Sequence, residues 1–294
     1  MQLKILSEYS FLVIALGCSC LAFATGLIGT VNILRNQSLI GDAVGHASFP
    51  GIVFAFILAG RRDSLSLMAG AVAAGLLAFY LITVSSHDDK THGETAMAVI
   101  LSAFFGLGMA AKSFIQGNPN FTKNSQAGLA NYIFGQAAYM LREDVVLIFI
   151  ISLVSLLLFF LFYQEIKIFV FDPAYSKSVG ISRGLLSALI MIMTMCLIAA
   201  GLKAVGAILI SSMLIAPGVS ALQWSEKYSH VLWISGLIGG FSALGGTILS
   251  TLVKGMSTGP CIILFMSAAA LFSVFASPKG ILHRKRQPKR KEGK

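Results

Sequence analysis

Long apolar runs separated by short polar links make up most of the chain, without the one-sided stripe of a soluble amphipathic helix. Nine runs approach or exceed the ~20 residues that a helix needs to cross a bilayer. The predicted spans are residues 9–34, 38–60, 65–84, a fourth run from near Glu94, 145–163, 185–200, 204–222, 231–253 and 260–275. Eight spans are possible if the sixth and seventh runs are broken differently. The pattern predicts an all-α polytopic transmembrane bundle.

Composition points to the same class of protein. The chain of 294 residues is 56% hydrophobic and 12% charged, with a mean hydropathy of +0.82. These values are typical of an integral membrane protein and exclude an ordinary soluble domain. We predict one transmembrane domain over residues 1–277, followed by a basic tail over residues 278–294.

The net charge of +10 comes largely from that tail, which holds eight of the 22 lysines and arginines. A basic segment after the last apolar run anchors topology and contacts anionic lipid. We therefore predict membrane lipid, and no nucleic acid, as a partner of the tail. The same rule predicts a cytoplasmic C-terminus, and nine spans then place the N-terminus on the outer side.

Several small features predict how the spans pack. Pro217 lies inside the seventh run, where it interrupts the hydrogen-bond ladder and leaves freed carbonyls near mid-membrane. Gly236 and Gly240 form a small-residue face in the eighth run and predict a close helix contact. The segment NYIFGQAAYM, residues 131–140, is too short to span and is interpreted as an interfacial or re-entrant helix.

The second run carries the main candidate for chemistry. Asp42 and His46 are four residues apart, which places both side chains on one helix face, one turn apart. A charge buried in lipid costs several kcal/mol unless it is paired, so such residues face a bundle interior or a water-filled path. Carboxylate and imidazole are common ligands of Mn²⁺, Fe²⁺ and Zn²⁺. The alternative is that Asp42 caps or bonds a neighbouring helix and His46 is a satisfied interior histidine.

Other polar segments favour structural interpretations. The link SSHDDKTHG contains His87, Asp88, Asp89 and His92, and a solvated loop is the favoured interpretation over a metal site. Asp172 and Pro173 suit the N-cap and first residue of a short helix. The chain contains no phosphate-binding G-x-x-x-x-G-K-[ST] loop and no H-E-x-x-H motif, so we predict neither ATP hydrolysis by this chain nor an enzyme.

Six segments, in order along nearly the whole chain, resemble the membrane permeases of bacterial ATP-binding-cassette transporters for manganese, zinc and iron uptake. They are GDAVGHASFPGIVFAFILAG, GETAMAVILSAFFGLGM, NYIFGQ, FDPAYSKSVGIS, VGAILISSMLIAPGVSALQW and STGPCIILFMSAAALFSVFASPKGIL. The chain departs from the usual family pattern in having Gly45 before the histidine, Ser48 and Phe49 before the proline, and Ala174 in the place of an acidic residue.

The resemblance implies a type II importer-like permease in the bacterial plasma (inner) membrane. Its implied partners are a cytoplasmic ATPase subunit, an extracytoplasmic metal-binding protein and a second permease chain, identical or paralogous. The Mn, Zn or Fe ion is cargo, and no permanently bound cofactor is expected. The sequence does not distinguish among these metals, which share the same ligand types.

The resemblance also assigns roles to residues. It identifies Asp42 and His46 as ligands on the metal path and Glu94 as a candidate third ligand, against the alternative that Glu94 only complements a helix dipole. It identifies the link at 171–181 as the helix that docks on the ATPase. The docking residues are Phe171, Asp172, Pro173, Tyr175, Ser176, Val179 and Gly180.

Two other classes of function stay open. A secondary, proton-coupled metal transporter would use Asp42 and His46 as a proton relay and would act without an ATPase. A membrane-embedded metalloprotease would need a water-activating motif, which the chain lacks.

Overall fold

The structure is a computed structural model that describes residues 9–60, 64–86, 93–117, 142–253, 255–278 and 280. Three sequence predictions lie outside these residues: the loop with His87, Asp88, Asp89 and His92, the segment at 131–140, and the basic tail from 281 onwards. The family-like segment NYIFGQ is also outside them.

The described chain is helical, as the apolar pattern predicts, and the all-α fold class is confirmed. Its helices are α1 (Tyr9–Leu34), α2 (Ile40–Ala59), α3 (Ser64–Ser85), α4 (Gly93–Gly117), α5 (Arg142–Leu161), α6 (Tyr163–Phe171), α7 (Pro173–Ser178), α8 (Arg183–Ala204), α9 (Ala207–Leu222), α10 (Tyr228–Leu252) and α11 (Thr258–Ala276). Within the described residues, eight helices are long and apolar enough to cross a membrane.

The seventh predicted span corresponds to α9, which has 16 residues and is about 24 Å long, shorter than the ~30 Å hydrocarbon core. It nevertheless connects the two ends of the bundle. Lys203, just before α9, pairs with Asp144 at the start of α5, whereas Trp224, just after α9, donates a hydrogen bond to Ser273 near the end of α11. The helix continues through Pro217. The chain therefore changes direction after α8 and again after α9.

The break between α8 and α9 differs from the prediction. The sequence pattern placed Ala204 at the start of the seventh span, but Ala204 is the last residue of α8. Gly206 has φ of 90°, a conformation that glycine adopts readily and other residues do not. The helix therefore runs until the residue that permits the turn, and the sixth span is longer than predicted.

The link after the fifth span also differs from the prediction. The predicted elements leave residues 164–170, between the fifth span and the 171–181 link, without a helix, but residues Tyr163–Phe171 form the nine-residue helix α6. Phe162 breaks the helical path between α5 and α6, with φ of −99° and ψ of 22°. Ile166 of α6 is fully buried, so α6 is held by packing against the bundle, which the local polarity did not reveal.

α10 packs closely on α1, as the small-residue pattern predicts. A Cβ atom on Gly236 would overlap the side chain of Leu27, and one on Gly239 would overlap the carbonyl of Ala22. At Gly240 a Cβ would stand 3.7 Å from the nearest atom, an ordinary contact. The close approach is therefore confirmed at Gly236, while its second contact is Gly239 instead of Gly240.

Candidate metal path and docking helix

Asp42 and His46 lie on one face of α2. Asp42 is in the first turn of the helix, where the helix dipole stabilises a carboxylate, and His46 follows one turn later. The Nε2 atom of His46 is 3.6 Å from the Oδ1 atom of Asp42. That separation is too long for a hydrogen bond, so neither group consumes the other's lone pairs.

These two side chains are the only breaks in the burial of this part of α2. Between Ile40 and Val53 every other residue is buried, while the side chains of Asp42 and His46 are 40% and 19% exposed. The opposite face packs on the rest of the bundle, since a Cβ on Gly41 would meet Leu214. The pair is therefore the only partly exposed point on this otherwise buried stretch of α2.

Contacts with α4 show the level of His46 along that helix. The His46 ring meets the Phe105 ring edge-on, with centroids 5.3 Å apart. Phe105 is twelve residues from each end of α4, Gly93 and Gly117, so His46 lies level with the middle of that helix. Gly108 supports the same register, because a Cβ there would come within 3.0 Å of the backbone nitrogen of Pro50.

The pair fits the first ligands of a transition-metal ion. With metal–ligand bonds of about 2.1 Å and ligand–metal–ligand angles of about 90–120°, two ligand atoms stand about 3.0–3.6 Å apart. The observed 3.6 Å between Nε2 and Oδ1 lies at the upper end of that range. The second ring nitrogen of His46, Nδ1, is buried and has no hydrogen-bond partner within the described chain.

Glu94 is not brought to this pair. It lies exposed in the first turn of α4, eleven residues before Phe105 and hence about 16 Å along the helix from the level of His46. Among the described residues no group of three His, Cys, Asp or Glu side chains could hold one metal ion. Among the described residues, Asp42 and His46 therefore remain a candidate set of two ligands.

The departure at Gly45 has a structural explanation. A Cβ atom at this position would stand 3.7 Å from Ile210 and 3.9 Å from Ile198, which are ordinary contacts. The space accommodates a small side chain, so the family's usual serine and the glycine of this chain are both compatible with the packing of α2.

The local prediction for α7 is confirmed. Asp172 is its N-cap, accepting a hydrogen bond from the backbone N–H of Tyr175 at 2.8 Å, and Pro173 is the first helical residue. The guanidinium of Arg183 donates to the carbonyl of Pro173 and ties the start of α8 to this helix. Gly180, with φ of 83°, follows the end of the helix and lets the chain turn towards α8.

The predicted docking residues divide into an exposed set and an anchor. Phe171, Tyr175 and Val179, spaced four residues apart, are each more than half exposed. Ser176 is fully buried, and its backbone carbonyl accepts from the N–H of Ile181. Phe171 ends α6, Tyr175 lies in α7 and Val179 directly follows α7. Exposed apolar side chains on and beside a short, capped helix are suited to contacting another protein. Ser176 holds α7 in place and does not offer a side chain to that surface.

One polar cluster was missed by sequence reasoning. Lys203 of α8 is 2.5 Å from the Oδ1 atom of buried Asp144 of α5. Ser64 of α3 donates to the same oxygen at 2.7 Å and accepts from Lys203 at 3.1 Å. The signal in the sequence is weak, because each charge lies at the edge of an apolar run, where charges are ordinary. The cluster joins three helices at the end of the bundle opposite α7.

The sequence of the chain is similar to a known protein family and to individual members of it. Residues 8–277 match the family described as ABC 3 transport family. A manganese transport system membrane protein, MntC, from Bacillus subtilis (strain 168) is 40% identical over 90% of this chain, which spans 60% of the length of that relative. A zinc transport system membrane protein, TroC, from Treponema pallidum (strain Nichols) is 36% identical over 96% of this chain and 94% of its own length.

Solved structures agree with the fold. The structure described as PsaBC from Streptococcus pneumoniae in complex with Fab superposes with a TM-score of 0.84 and 25% identity, over 97% of this chain and 99% of the other. An inward-facing metal-chelate type ABC transporter superposes with a TM-score of 0.66 at 18% identity, which supports the fold alone. With helices that suit a multi-pass membrane protein and a match over nearly its whole length, the chain belongs to the ABC 3 transport family.

Proposed function

We propose that the chain is the membrane-spanning permease of an ATP-driven importer for divalent transition-metal ions. Mn²⁺, Zn²⁺ or Fe²⁺ is the cargo, and no resident cofactor is required. A second permease chain, identical or paralogous, completes the pathway, and a separate cytoplasmic subunit hydrolyses ATP. An extracytoplasmic metal-binding protein delivers the ion.

The observation that carries this proposal is the Asp42–His46 pair. Its two donor atoms stand at a ligand-like separation, level with the middle of α4, on a helix stretch that is otherwise buried. A pump needs a site that captures the ion and then releases it. Two ligands plus water suit that task better than a closed four-ligand cage, which would hold the ion as a structural part.

The names of the relatives agree with this cargo. One similar protein is a manganese transport system membrane protein and another is a zinc transport system membrane protein. Both ions accept carboxylate and imidazole ligands and differ in preferred geometry, so the pair alone is compatible with either.

Coupling to the ATPase is assigned to α7. Replacing Asp172 and Pro173 together by glycine removes the N-cap and the restrained first residue of a six-residue helix that is marginal on its own. We expect the variant to reach the membrane and the complex to hydrolyse ATP, while uptake falls by about tenfold or more. Uptake and phosphate release are measured on the same preparation.

Ser178→Gly is the matched control for that experiment, since it adds glycine at an exposed position near the end of α7. It should transport normally. Normal coupling in the Asp172/Pro173 double variant would contradict the docking role of α7.

The energy source separates the proposal from a proton-coupled secondary transporter. In vesicles that contain the permease and its ATPase, uptake of radioactive Mn²⁺ or Zn²⁺ should require ATP and should persist when the proton gradient is collapsed. Uptake by the permease alone, driven by a gradient, would overturn the proposal in favour of the secondary transporter.

A further inference from the structure

The short connection between α1 and α2 carries a cation that is packed into the protein. Arg35 directly follows the last residue of α1 and lies five residues before Ile40, the first residue of α2. Burial lowers the pKa of Arg35 to about 10, so the guanidinium remains protonated at neutral pH. A half-buried cation at a helix connection is stabilised by partners, and the partners of Arg35 lie on two other helices.

Arg35 bridges α6 and α8. Its guanidinium donates a hydrogen bond to the Oγ atom of Ser187, at 2.9 Å, and lies over the ring of Phe169, 5.0 Å from the ring centroid. A planar guanidinium can stack on a ring and donate a hydrogen bond at the same time, which an ammonium does less well. Arg35 therefore fixes the α1–α2 connection to the segments on either side of the docking helix α7.

Backbone hydrogen bonds join the connection to α1 and α2. The backbone N–H of Asn36 donates to the carbonyl of Ile33, and that of Gln37 donates to the carbonyl of Asn32, each at 2.9 Å. On the far side, the N–H of Ile40 donates to the carbonyl of Gln37 at 3.2 Å. A movement imposed on Arg35 is therefore passed to the start of α2, whose first turn contains Asp42.

The two partners of Arg35, Phe169 and Ser187, lie close to α7 in the chain. Phe169 is two residues before Phe171, the last residue of α6, and the next residue, Asp172, is the N-cap of α7. Ser187 lies in the second turn of α8, whose residue Arg183 donates to the carbonyl of Pro173 in α7. Both partners of Arg35 are thus joined to the docking helix by short, hydrogen-bonded stretches.

We propose that Arg35 is a positioning residue that transmits the movement of α7 to the Asp42–His46 pair through the Arg35–Phe169 and Arg35–Ser187 contacts. The inference rests on the proposed function, because it requires that α7 docks on an ATPase and that the pair lies on the ion path. Arg35 itself touches no cargo. Its role is to make the ligand pair respond when the docking helix moves.

The experiment measures coupling in the complete complex of permease and ATPase, with Mn²⁺ as the probe. Arg35→Met keeps length and apolar packing but removes the cation. We expect the maximal uptake rate to fall about tenfold, while the Mn²⁺ concentration for half-maximal uptake and the ATP hydrolysis rate change less than about twofold. Arg35→Lys, which restores the charge without the planar group, should recover uptake only in part.

A double-mutant cycle tests the linkage itself. Phe169→Leu should also reduce uptake per ATP hydrolysed, and the Arg35→Met/Phe169→Leu double variant should be no worse than the poorer single variant, because both break one linkage. Lys167→Met, an exposed basic residue on the same helix, is the control and should couple normally. Additive losses in the double variant would overturn the proposal.

A purely structural role would give a different result. If Arg35 only stabilised the fold, the uptake per ATP hydrolysed by the assembled Arg35→Met complex would equal that of the wild type, and that outcome would overturn the proposal. If Arg35→Met does not assemble, Ser187→Ala and Phe169→Leu, which each leave the guanidinium one partner, give the same uptake-to-hydrolysis comparison. Wild-type uptake that does not depend on ATP would instead contradict the proposed function.

Discussion

The contact between Asp144 and Lys203 joins helices at the end of the bundle opposite α7. The carboxylate is 4% exposed and interacts with both Lys203 and Ser64. In low dielectric an ion pair contributes little over an apolar pair, but a single remaining charge is costly. The cluster therefore makes the packing of α3, α5 and α8 sensitive to the loss of one partner.

Lys203→Met should destabilise the protein by about 3 kcal/mol or more, because it removes the Lys203 cation from a buried carboxylate. Thermal unfolding in detergent measures the effect. Adding Asp144→Asn to the same chain should recover most of the stability, since the carboxylate charge is then gone. Lys227→Met, at an exposed position, should change stability by less than about 0.5 kcal/mol. Equal stability of Lys203→Met and Lys227→Met would show that the pair does not stabilise the fold.

The sequence was sufficient to predict that Asp42 and His46 share one face of α2, but it did not predict where the neighbouring helices place them. The four-residue spacing alone puts Asp42 and His46 on one face, and the structure has the two donor atoms 3.6 Å apart. Their depth depends on how α2 and α4 are staggered, because Asp42 lies in the first turn of its own helix while His46 meets the middle of α4. No local sequence pattern encodes that stagger. The metal-ligand role stays a prediction.

At the scale of elements, the contact between α2 and α4 decides whether His46 stays beside Phe105. Gly108 makes that contact possible, because a Cβ there would come within 2.7 Å of the Phe49 ring and 3.0 Å of the Pro50 backbone nitrogen. A Cβ atom on Gly106, two residues earlier on α4, would have no neighbouring atom within 4 Å. The two glycines form a matched pair for mutation.

Gly108→Ala should destabilise the protein by about 1–3 kcal/mol, through overpacking against α2, and should lower uptake by displacing Phe105 from His46. Gly106→Ala should leave both properties close to wild type, because its new methyl group meets nothing within 4 Å. Thermal unfolding and Mn²⁺ uptake are measured for both variants. Equal behaviour of the two would contradict the described register of α2 and α4.

Elements were predictable from sequence where local rules decide them. Asp172 and Pro173 predicted the start of α7 because capping involves only neighbouring residues. α6 was missed because the burial of Ile166 depends on helices distant in sequence. The boundary at Ala204 was misplaced because an apolar run carries no mark of the point where the backbone turns, which Gly206 supplies.

At the scale of the whole molecule, the contacts place the end of α11 and α7 at the same end of the bundle. Trp224 donates a hydrogen bond to Ser273 near the end of α11. Nearby Tyr228 packs against Phe171, the last residue of α6, which lies two residues before α7. The opposite end holds the Asp144–Lys203 pair. The end of α11 therefore lies on the α7 side of the bundle.

This arrangement predicts a definite topology. A reporter fused after Lys294 should be cytoplasmic, on the side where an ATPase can reach α7, and a reporter inserted near Asn120 should be external. Accessibility of the two reporters in intact cells measures the orientation. An external C-terminus would place α7 out of reach of a cytoplasmic ATPase and would contradict the coupling scheme.

The central claim is that Asp42 and His46 ligate the transported ion, and uptake of radioactive Mn²⁺ by their variants in vesicles tests it most directly. Asp42→Asn keeps size and hydrogen bonding but removes the charge, and His46→Ala removes the imidazole. Each should lower ATP-driven uptake by more than about 100-fold, since even changes around a metal ligand cost about 10- to 100-fold in affinity. Both should still assemble with the ATPase. Glu143→Gln, an exposed carboxylate in the first turn of α5, is the control and should transport normally. Near-normal uptake by Asp42→Asn and His46→Ala would contradict the account.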